Sequence, residues 1–156
     1  MITQIKKSQN DEMTEQIIGC CFRVHTALGP GFPEKVYQAA LTESLRASDL
    51  SVEEERSFKV LFEGTQVGTF RVDLLIENRV VVEVKAVTGM LPKVFAAQVL
   101  AYLKAADMPV GLLVNFGNAS CQVKRISFSS AKSALSLSAK SILKSAESMK
   151  TPVISQ

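Results

Sequence analysis

The spacing of apolar residues predicts two helices in the first third of the chain. A first apolar stripe has steps of four, three and four residues, as one face of a helix does: Ile17, Cys21, Val24 and Leu28. It predicts a helix from about Met13 that ends at the Leu-Gly-Pro-Gly sequence 28–31. Pro33 suits the first turn of a second helix, which runs to about Ala47. The predicted buried side of this second helix consists of Val36, Ala40, Leu41 and Leu45.

In the middle of the chain, the period of the pattern changes to two. Residues 58–62 alternate as a half-buried strand does, and after a turn residues 67–76 form a second predicted strand. After a turn at 77–79, the β-branched run 80–86 is typical of a central strand. These segments predict a three-stranded meander.

The second half predicts a helix from about Pro92 to Ala106, an apolar strand at 110–116 and a more polar strand at 121–128. The order α-α-β-β-β-α-β-β predicts an α/β three-layer domain in which a crossover helix and returning strands complete a mixed sheet. We expect a polar lead at residues 1–12, the domain at 13–128 and a distinct tail at 129–156.

The tail has a different composition, with nine serines and four lysines among its 28 residues. An apolar stripe nevertheless runs through it, with steps of four, three, four and three residues: Leu135, Ala139, Ile142, Ala146 and Met149. It predicts a marginal amphipathic helix, which packs on the domain, pairs with a second copy or frays.

Composition narrows the class of protein only slightly. The chain of 156 residues is 47% hydrophobic and carries a net charge of +3, which permits a polyanionic partner without requiring one. Its three cysteines are odd in number, two of them adjacent, and indicate neither a disulfide framework nor a zinc site. No signal peptide or apolar run of membrane-spanning length is visible, so we expect a soluble, cytoplasmic protein without membrane contact.

Candidate chemistry lies in the predicted central strand. Because side chains alternate between faces, Glu83 and Lys85 project together, away from the valines between them. Burying charges in such a strand costs free energy unless they are paired or bind a metal.

The preceding strand supplies a second carboxylate, Asp73. If Ile76 pairs with Val80 around a three-residue turn, Asp73 lies directly opposite Glu83 on the same face. A two-residue turn would place Asp73 on the other face. Two carboxylates that close repel each other unless they share a proton or a divalent cation.

Oxygen ligands of this kind suit Mg²⁺ or Mn²⁺, which can activate water and neutralise charge on a phosphate. Lys85 beside the ion is suited to orient that water or stabilise the transition state. A solvated sheet face with an ordinary cross-strand ion pair is the alternative that spacing alone leaves open.

The same residues resemble a known signature. Asp73, nine residues and then Glu83-Val84-Lys85 resemble the D-x(n)-E-x-K signature of PD-(D/E)XK phosphodiesterases, with valine preceding Asp73 where the name has proline. The segment 31–37, GFPEKVY, is similar to the motif that names the GxxExxY family, a bacterial branch of that superfamily. Further similar segments are 24–25, 28–31, 97–98, 102–103, 112–117 and 124–126.

The resemblance implies a restriction-endonuclease-like core and a larger site. Glu34 corresponds to the helix glutamate that adds a metal or water ligand, and Gln98 to the polar residue of the helix after the E-x-K strand. The Val84 carbonyl would complete the metal shell. Tyr102 lies one turn beyond Gln98, on the same face.

Each of these residues also has a structural interpretation. Glu34 suits a helix first turn, Gln98 suits a solvent position, and Tyr37 and Tyr102 suit a core. For His25, the single histidine, we expect a structural hydrogen bond rather than catalysis. Several basic residues are weaker candidates for phosphate contacts: Arg23, Arg71, Lys93, Lys124 and Arg125.

We therefore predict a Mg²⁺- or Mn²⁺-dependent nuclease that acts on nucleic acid, with DNA preferred. The alternative is a nuclease-fold module without catalysis that binds nucleic acid or a partner protein. A homodimer would suit either function, because one small domain contacts little of a duplex.

Overall fold

The computed structural model describes residues 8–130, 142–143 and 145–146. Its three long helices are α1 (Gln9–Leu28), α2 (Glu34–Ala47) and α3 (Lys93–Ala106). Helix α1 begins before the predicted start near Met13 because a capping box precedes it. Asp11 donates its N–H to the Ser8 hydroxyl at 3.3 Å, and its carboxylate accepts the Ser8 N–H at 3.1 Å.

Among the described residues, seven strands form one sheet of five and one of two. They are β1 (Val52–Glu54), β2 (Ser57–Phe62), β3 (Thr65–Arg71), β4 (Leu74–Ile76), β5 (Val80–Lys85), β6 (Val110–Asn115) and β7 (Gln122–Ser127). The larger sheet has the order β1-β4-β5-β6-β7, with β5 and β6 parallel and its other pairs antiparallel. Strands β2 and β3 form a separate hairpin. The predicted mixed α/β sheet is therefore confirmed.

The predicted three-stranded meander is wrong. The segment expected as one strand at 67–76 is two strands, and they belong to different sheets. Between them, the Val72 N–H bonds to the Arg56 carbonyl at 3.1 Å and the Asp73 carbonyl accepts the Glu55 N–H at 2.9 Å. The chain bends at Asp73 as it crosses from one sheet to the other, and no glycine or proline marks this bend in the sequence.

The larger sheet separates two apolar cores. One core packs β5 and β6 against α1 and α2, and includes Ile17, Leu41, Val82 and Leu112. The other packs the opposite face against α3, and includes Val81, Val99, Leu103 and Leu113.

The buried side of α2 differs from the prediction by one position. Leu41 and Leu45 are buried as expected, but Val36 is 38% exposed and Tyr37 takes its place in the core. Gln38 and Thr42 complete the buried side, because their polar atoms find hydrogen-bond partners there.

The predicted tail helix lies almost wholly outside the described residues; residues 142–143 and 145–146 are helical and exposed. Within the parts of the chain that the structure describes, no helix combines the length and apolar character needed to cross a membrane.

Candidate active site

The β4–β5 hairpin has the predicted register. Its partners are Leu74 with Val82, Leu75 with Val81, and Ile76 with Val80. The tight turn requires left-handed backbone at Glu77 and Asn78, whose φ angles are 51° and 52°.

One step beyond the last pair of this hairpin, Asp73 meets Glu83. The Asp73 N–H donates to Glu83 Oε1 at 3.1 Å. The Val84 N–H donates to Asp73 Oδ2 at 2.8 Å, so the β5 backbone itself orients the aspartate. The negative charge of Asp73 also acts on the Glu83 carboxyl, so the two acids are close neighbours. The predicted opposition of the two acids is confirmed.

Glu83 is a buried acid with a strongly shifted pKa. Glu83 is only 5% exposed. Burial, the largest cause, and the negative charge of Asp73 together raise the pKa of Glu83 to about 8, while the Asp73 N–H and Lys85 oppose the shift. Without a cation, the pair of acids therefore holds a proton near neutral pH.

Lys85 lies on the same face as Glu83, at the end of β5. Its Nζ sits 4.4 Å from the ring centroid of Phe95, in the first turn of α3. This contact fixes the ammonium beside the acids. The predicted ligand role of the neighbouring Val84 carbonyl stays a prediction, although the Val84 N–H already supports the site through Asp73.

Helix α3 brings two polar side chains to the same region. Tyr102 is hydrogen-bonded to Gln98, and its ring stacks on Phe70 with centroids 4.5 Å apart. Burial raises the pKa of Tyr102, and the charges of Glu83 and Asp73 add to the shift, which places the phenol within their electrostatic reach. Tyr102 is therefore both a packing residue and a neighbour of the acids, while Gln98 is exposed.

Helix α2 contributes a residue that sequence analysis did not single out. The Gln38 amide, 5% exposed, donates to the Asp73 carbonyl at 3.5 Å. Gln38 lies one helical turn after Glu34 and on the same side of α2. A polar residue on this otherwise apolar side was the sequence signal that could have indicated its role. Glu34 itself is exposed in the first turn of α2.

Lys35, also not anticipated, forms an ion pair with Glu55. That hydrogen bond raises the pKa of Lys35, and the charge of Asp73 contributes to the shift. Lys35, Gln38 and Glu55 line an open pocket of about 330 Å³. Part of the basic character near the site therefore comes from α2.

The predicted phosphate contacts divide between the two faces of the sheet. Lys124 stands in register with Leu113 and thus with Glu83, on the face that α3 covers in part. Arg125 points to the opposite face, where it pairs with Asp11 of α1 at 2.6 Å. The structure does not bring Arg125 to the acids.

The remaining basic candidates have varied surroundings. Arg71 pairs with Glu55 at 3.6 Å near the Asp73 end of β3, and Lys93 is the exposed first residue of α3. Arg23 bonds to Cys20 and Ser48 between α1 and α2.

Two residues of the motif segments are structural. The Tyr37 hydroxyl donates to the Gly29 carbonyl at 2.6 Å and accepts the Phe32 N–H at 3.1 Å, while its ring stacks on Phe116. His25 Nε2 lies 2.8 Å from the carbonyl of Asn118. The core role expected for Tyr37 and the structural hydrogen bond expected for His25 are confirmed.

The donor chemistry of the site suits a hard divalent cation. Asp73 and Glu83 present carboxylate oxygens side by side, and a cation there would replace the proton that they otherwise share. Over residues 8–130 and the four described residues beyond them, acidic, histidine and cysteine side chains form no group of three or more arranged to hold a metal ion. The ligand role of Glu34 therefore stays a prediction.

A known family model matches most of this chain. The model of a family described as the PD-(D/E)XK nuclease superfamily matches residues 11–126. Among solved structures, the crystal structure of SSO0001 aligns with a TM-score of 0.49 and 17% sequence identity, over 77% of this chain and 60% of that one. This chain thus spans less than two-thirds of the length of that protein. A search of curated proteins finds no significant match.

Proposed function

The chain belongs to the PD-(D/E)XK nuclease superfamily, and on that premise we propose that it is a metal-dependent nuclease that hydrolyses phosphodiester bonds in nucleic acid, preferably DNA. The observation that carries this proposal is the buried Glu83 carboxyl held against Asp73 beside Lys85. An ordinary surface ion pair does not require two acids in contact in a buried position. We further propose that the chain lies in the GxxExxY branch, on the strength of the segment 31–37.

In this proposal Asp73 and Glu83 hold Mg²⁺ or Mn²⁺, with Glu34 and the Val84 carbonyl as further ligands. When bound, the ion supplies positive charge that activates water and neutralises charge developing on the phosphate. Glu83 would hold the ion in its deprotonated form. The Val84 N–H keeps Asp73 oriented throughout, so the site needs little rearrangement.

Lys85 and α3 act on the phosphate side of the site. The Lys85 ammonium, held over the Phe95 ring, positions the attacking water or a phosphate oxygen. Gln98 and Tyr102, hydrogen-bonded to each other, supply neutral donors next to the acids. Lys93, Arg71 and Lys124 add attraction for the nucleic acid backbone.

Cleavage and metal binding should be measured on the same protein. We expect Mg²⁺ or Mn²⁺ to bind in calorimetry, to raise the melting temperature and to support cleavage of single-stranded, double-stranded or branched substrates. Lys85→Ala should lower cleavage to a small residual rate that is still measurable, but keep nucleic acid binding. Lys59→Ala, which removes an exposed lysine of β2, is the matched control and should cleave normally.

Two results would separate this proposal from its alternative. Nucleic acid binding without cleavage, with no metal effect on the melting temperature, would favour a catalytically silent binding module. DNA and RNA substrates of the same sequence, tested in parallel, decide the proposed preference for DNA.

A further inference from the structure

The loop that follows Lys85, residues 86–92, is held by an asparagine side chain. Backbone pairing of β5 with β6 ends at Lys85, whose carbonyl accepts the Phe116 N–H at 2.9 Å. The Asn115 side chain then takes over the pairing with Val87. Its Oδ1 accepts the Val87 N–H and its Nδ2 donates to the Val87 carbonyl, both at 2.9 Å. An amide side chain thus substitutes for a strand partner beyond the end of the sheet.

A second asparagine makes the same pair of hydrogen bonds two residues further along the loop. Asn118 Oδ1 accepts the Gly89 N–H at 2.8 Å, and its Nδ2 donates to the Gly89 carbonyl at 2.9 Å. Gln122 Oε1 accepts from the Nδ2 groups of Asn115 and Asn118, at 3.3 Å and 2.9 Å. Because Gln122 accepts from both Nδ2 groups, the orientation of each amide is fixed, and β7 supports the pair.

The contact is also close enough to restrict the sequence at Gly117. A Cβ atom on Gly117 would lie 2.4 Å from the Val87 backbone nitrogen and oxygen. Asn115 is fully buried, so each of its polar atoms needs a partner, and the Gly117 N–H is a further donor to its Oδ1, at 3.1 Å. The segment after β6 therefore holds the loop through hydrogen bonds that are part-buried at Asn115 and exposed at Asn118.

This loop connects Lys85 to α3. Phe95, on which the Lys85 ammonium rests, lies in the first turn of the helix that the loop leads into. A loop free to shift would change where α3 begins relative to β5, and with it the distance between the ammonium and the ring. The two asparagines therefore influence the distance between Lys85 and Phe95, although their side chains are hydrogen-bonded to other residues.

Building on the proposed function, we propose that Asn115 and Asn118 are positioning residues of the nuclease site. They hold the 86–92 loop so that Lys85 keeps its place between Phe95 and Glu83. Asn118 is the better test, because it is half-buried and its removal leaves no closed cavity.

Asn118→Ala should lower kcat roughly 10- to 100-fold, since small misplacement of a reacting group has effects of that size. KM should stay within about twofold, because Asn118 is not placed against the nucleic acid. In the Asn118→Ala/Lys85→Ala double variant, the asparagine change should cause no further loss, because it acts through the lysine. Gln16→Ala is the control: it removes an amide that donates to the Ser48 carbonyl at 3.1 Å, in a different part of the molecule, and should leave kcat unchanged.

A spectroscopic measurement tests the positioning without relying on cleavage. The methylene protons of Lys85 next to the Phe95 ring should show ring-current shifts in the NMR spectrum of the wild-type protein. Asn118→Ala should reduce these shifts and speed hydrogen exchange at Gly89, while Gln16→Ala should change neither. Unchanged Lys85 shifts in Asn118→Ala would overturn the inference, as would a further loss of activity in the double variant. Wild-type protein that shows the shifts but cleaves nothing would instead contradict the proposed function alone.

Discussion

The two faces of β5 are almost equally buried, but burial has opposite consequences for them. On one face, Val80, Val82 and Val84 are at most 1% exposed and pack against α1 and α2. On the other face, Glu83 is 5% exposed, and burial acts against the charge that it would carry in water. One strand thus contributes apolar packing on one side and a destabilised carboxylate on the other.

The difference shows how the fold supports its site. The apolar face fixes the position of the β5 backbone, and that backbone in turn orients Asp73 through the Val84 N–H. The charged face can then keep two acids in contact because neither can move away. The two adjacent acids destabilise the metal-free protein. A bound cation would remove this destabilisation, which favours binding.

The largest effect is expected at Asp73. Asp73→Asn keeps an oxygen for the Val84 N–H but removes the charge, so metal-dependent cleavage should fall by more than about a hundredfold, beyond the loss typical of residues that merely support a ligand. Above pH 8, where both acids are charged, the melting temperature without metal should not decrease, because the repulsion between the acids disappears. Cleavage of labelled DNA and calorimetric titration with Mg²⁺ are the measurements. Substantial cleavage by Asp73→Asn would contradict the assignment.

The second prediction concerns pH. The pKa of Glu83 is about 8 in the folded protein, above its ordinary value of 4.5, so the folded state holds the extra proton between these values. In metal-free protein the stability should therefore fall as pH rises from about 5 to 8, and should level off above 8 as far as this group is concerned. We expect this decrease in the free energy of unfolding to be larger than the decrease caused by shortening any one of the valines on the opposite face of β5, Val80, Val82 and Val84.

Chemical unfolding in the presence of a chelator, at a series of pH values, measures this dependence. Glu83→Gln should flatten the profile and be the more stable protein at pH 8. Glu12→Gln, a change in an exposed residue of α1, should keep the wild-type profile. A wild-type profile that stays flat from pH 5 to 8 would be inconsistent with a buried, protonated Glu83.

The third prediction concerns the valine face. Val82→Ala should lower the free energy of unfolding by about 2 kcal/mol, because two buried methyl groups are lost and a small cavity remains. Cleavage per folded molecule should stay near the wild-type value, since the side chain points away from Glu83. Urea unfolding and activity at saturating Mg²⁺ give the two quantities. An equally large loss of activity would mean that the two faces are not separable.

Much of this fold follows from local patterns in the sequence. The β4–β5 register followed from counting residues around the turn, which is why the contact of Asp73 with Glu83 could be predicted. The break at Val72 and Asp73 could not, because the sequence around this bend contains no glycine or proline to indicate it. Strand β1 is short and mostly exposed, and therefore gives almost no apolar signal.

The parts of the site that sequence analysis missed depend on tertiary contacts. Gln38 is polar on an otherwise apolar side of α2, and only the fold shows that it meets the Asp73 carbonyl. Asn115 lies in a segment already noted for its resemblance to a family motif, and Asn118 follows that segment directly. Their hydrogen-bond partners, however, are in a loop distant in sequence. Polar residues at the ends of buried strands are the signal to examine in similar chains.

The smallest expected effect is on nucleic acid binding, and it compares two adjacent residues on opposite faces of the edge strand β7. Lys124 and Arg125 are adjacent in β7 and point to opposite faces, Lys124 in register with Glu83 and Arg125 paired with Asp11. If nucleic acid approaches over the Glu83 face, Lys124→Ala should weaken binding by a few-fold and lower the salt dependence of affinity by about one unit of slope. Arg125→Ala should leave both unchanged, because its charge is already neutralised on the α1 side. Titrations at several salt concentrations, made with chelator present to prevent cleavage, compare the two variants; a larger effect from Arg125→Ala would place the nucleic acid on the helical α1 side instead.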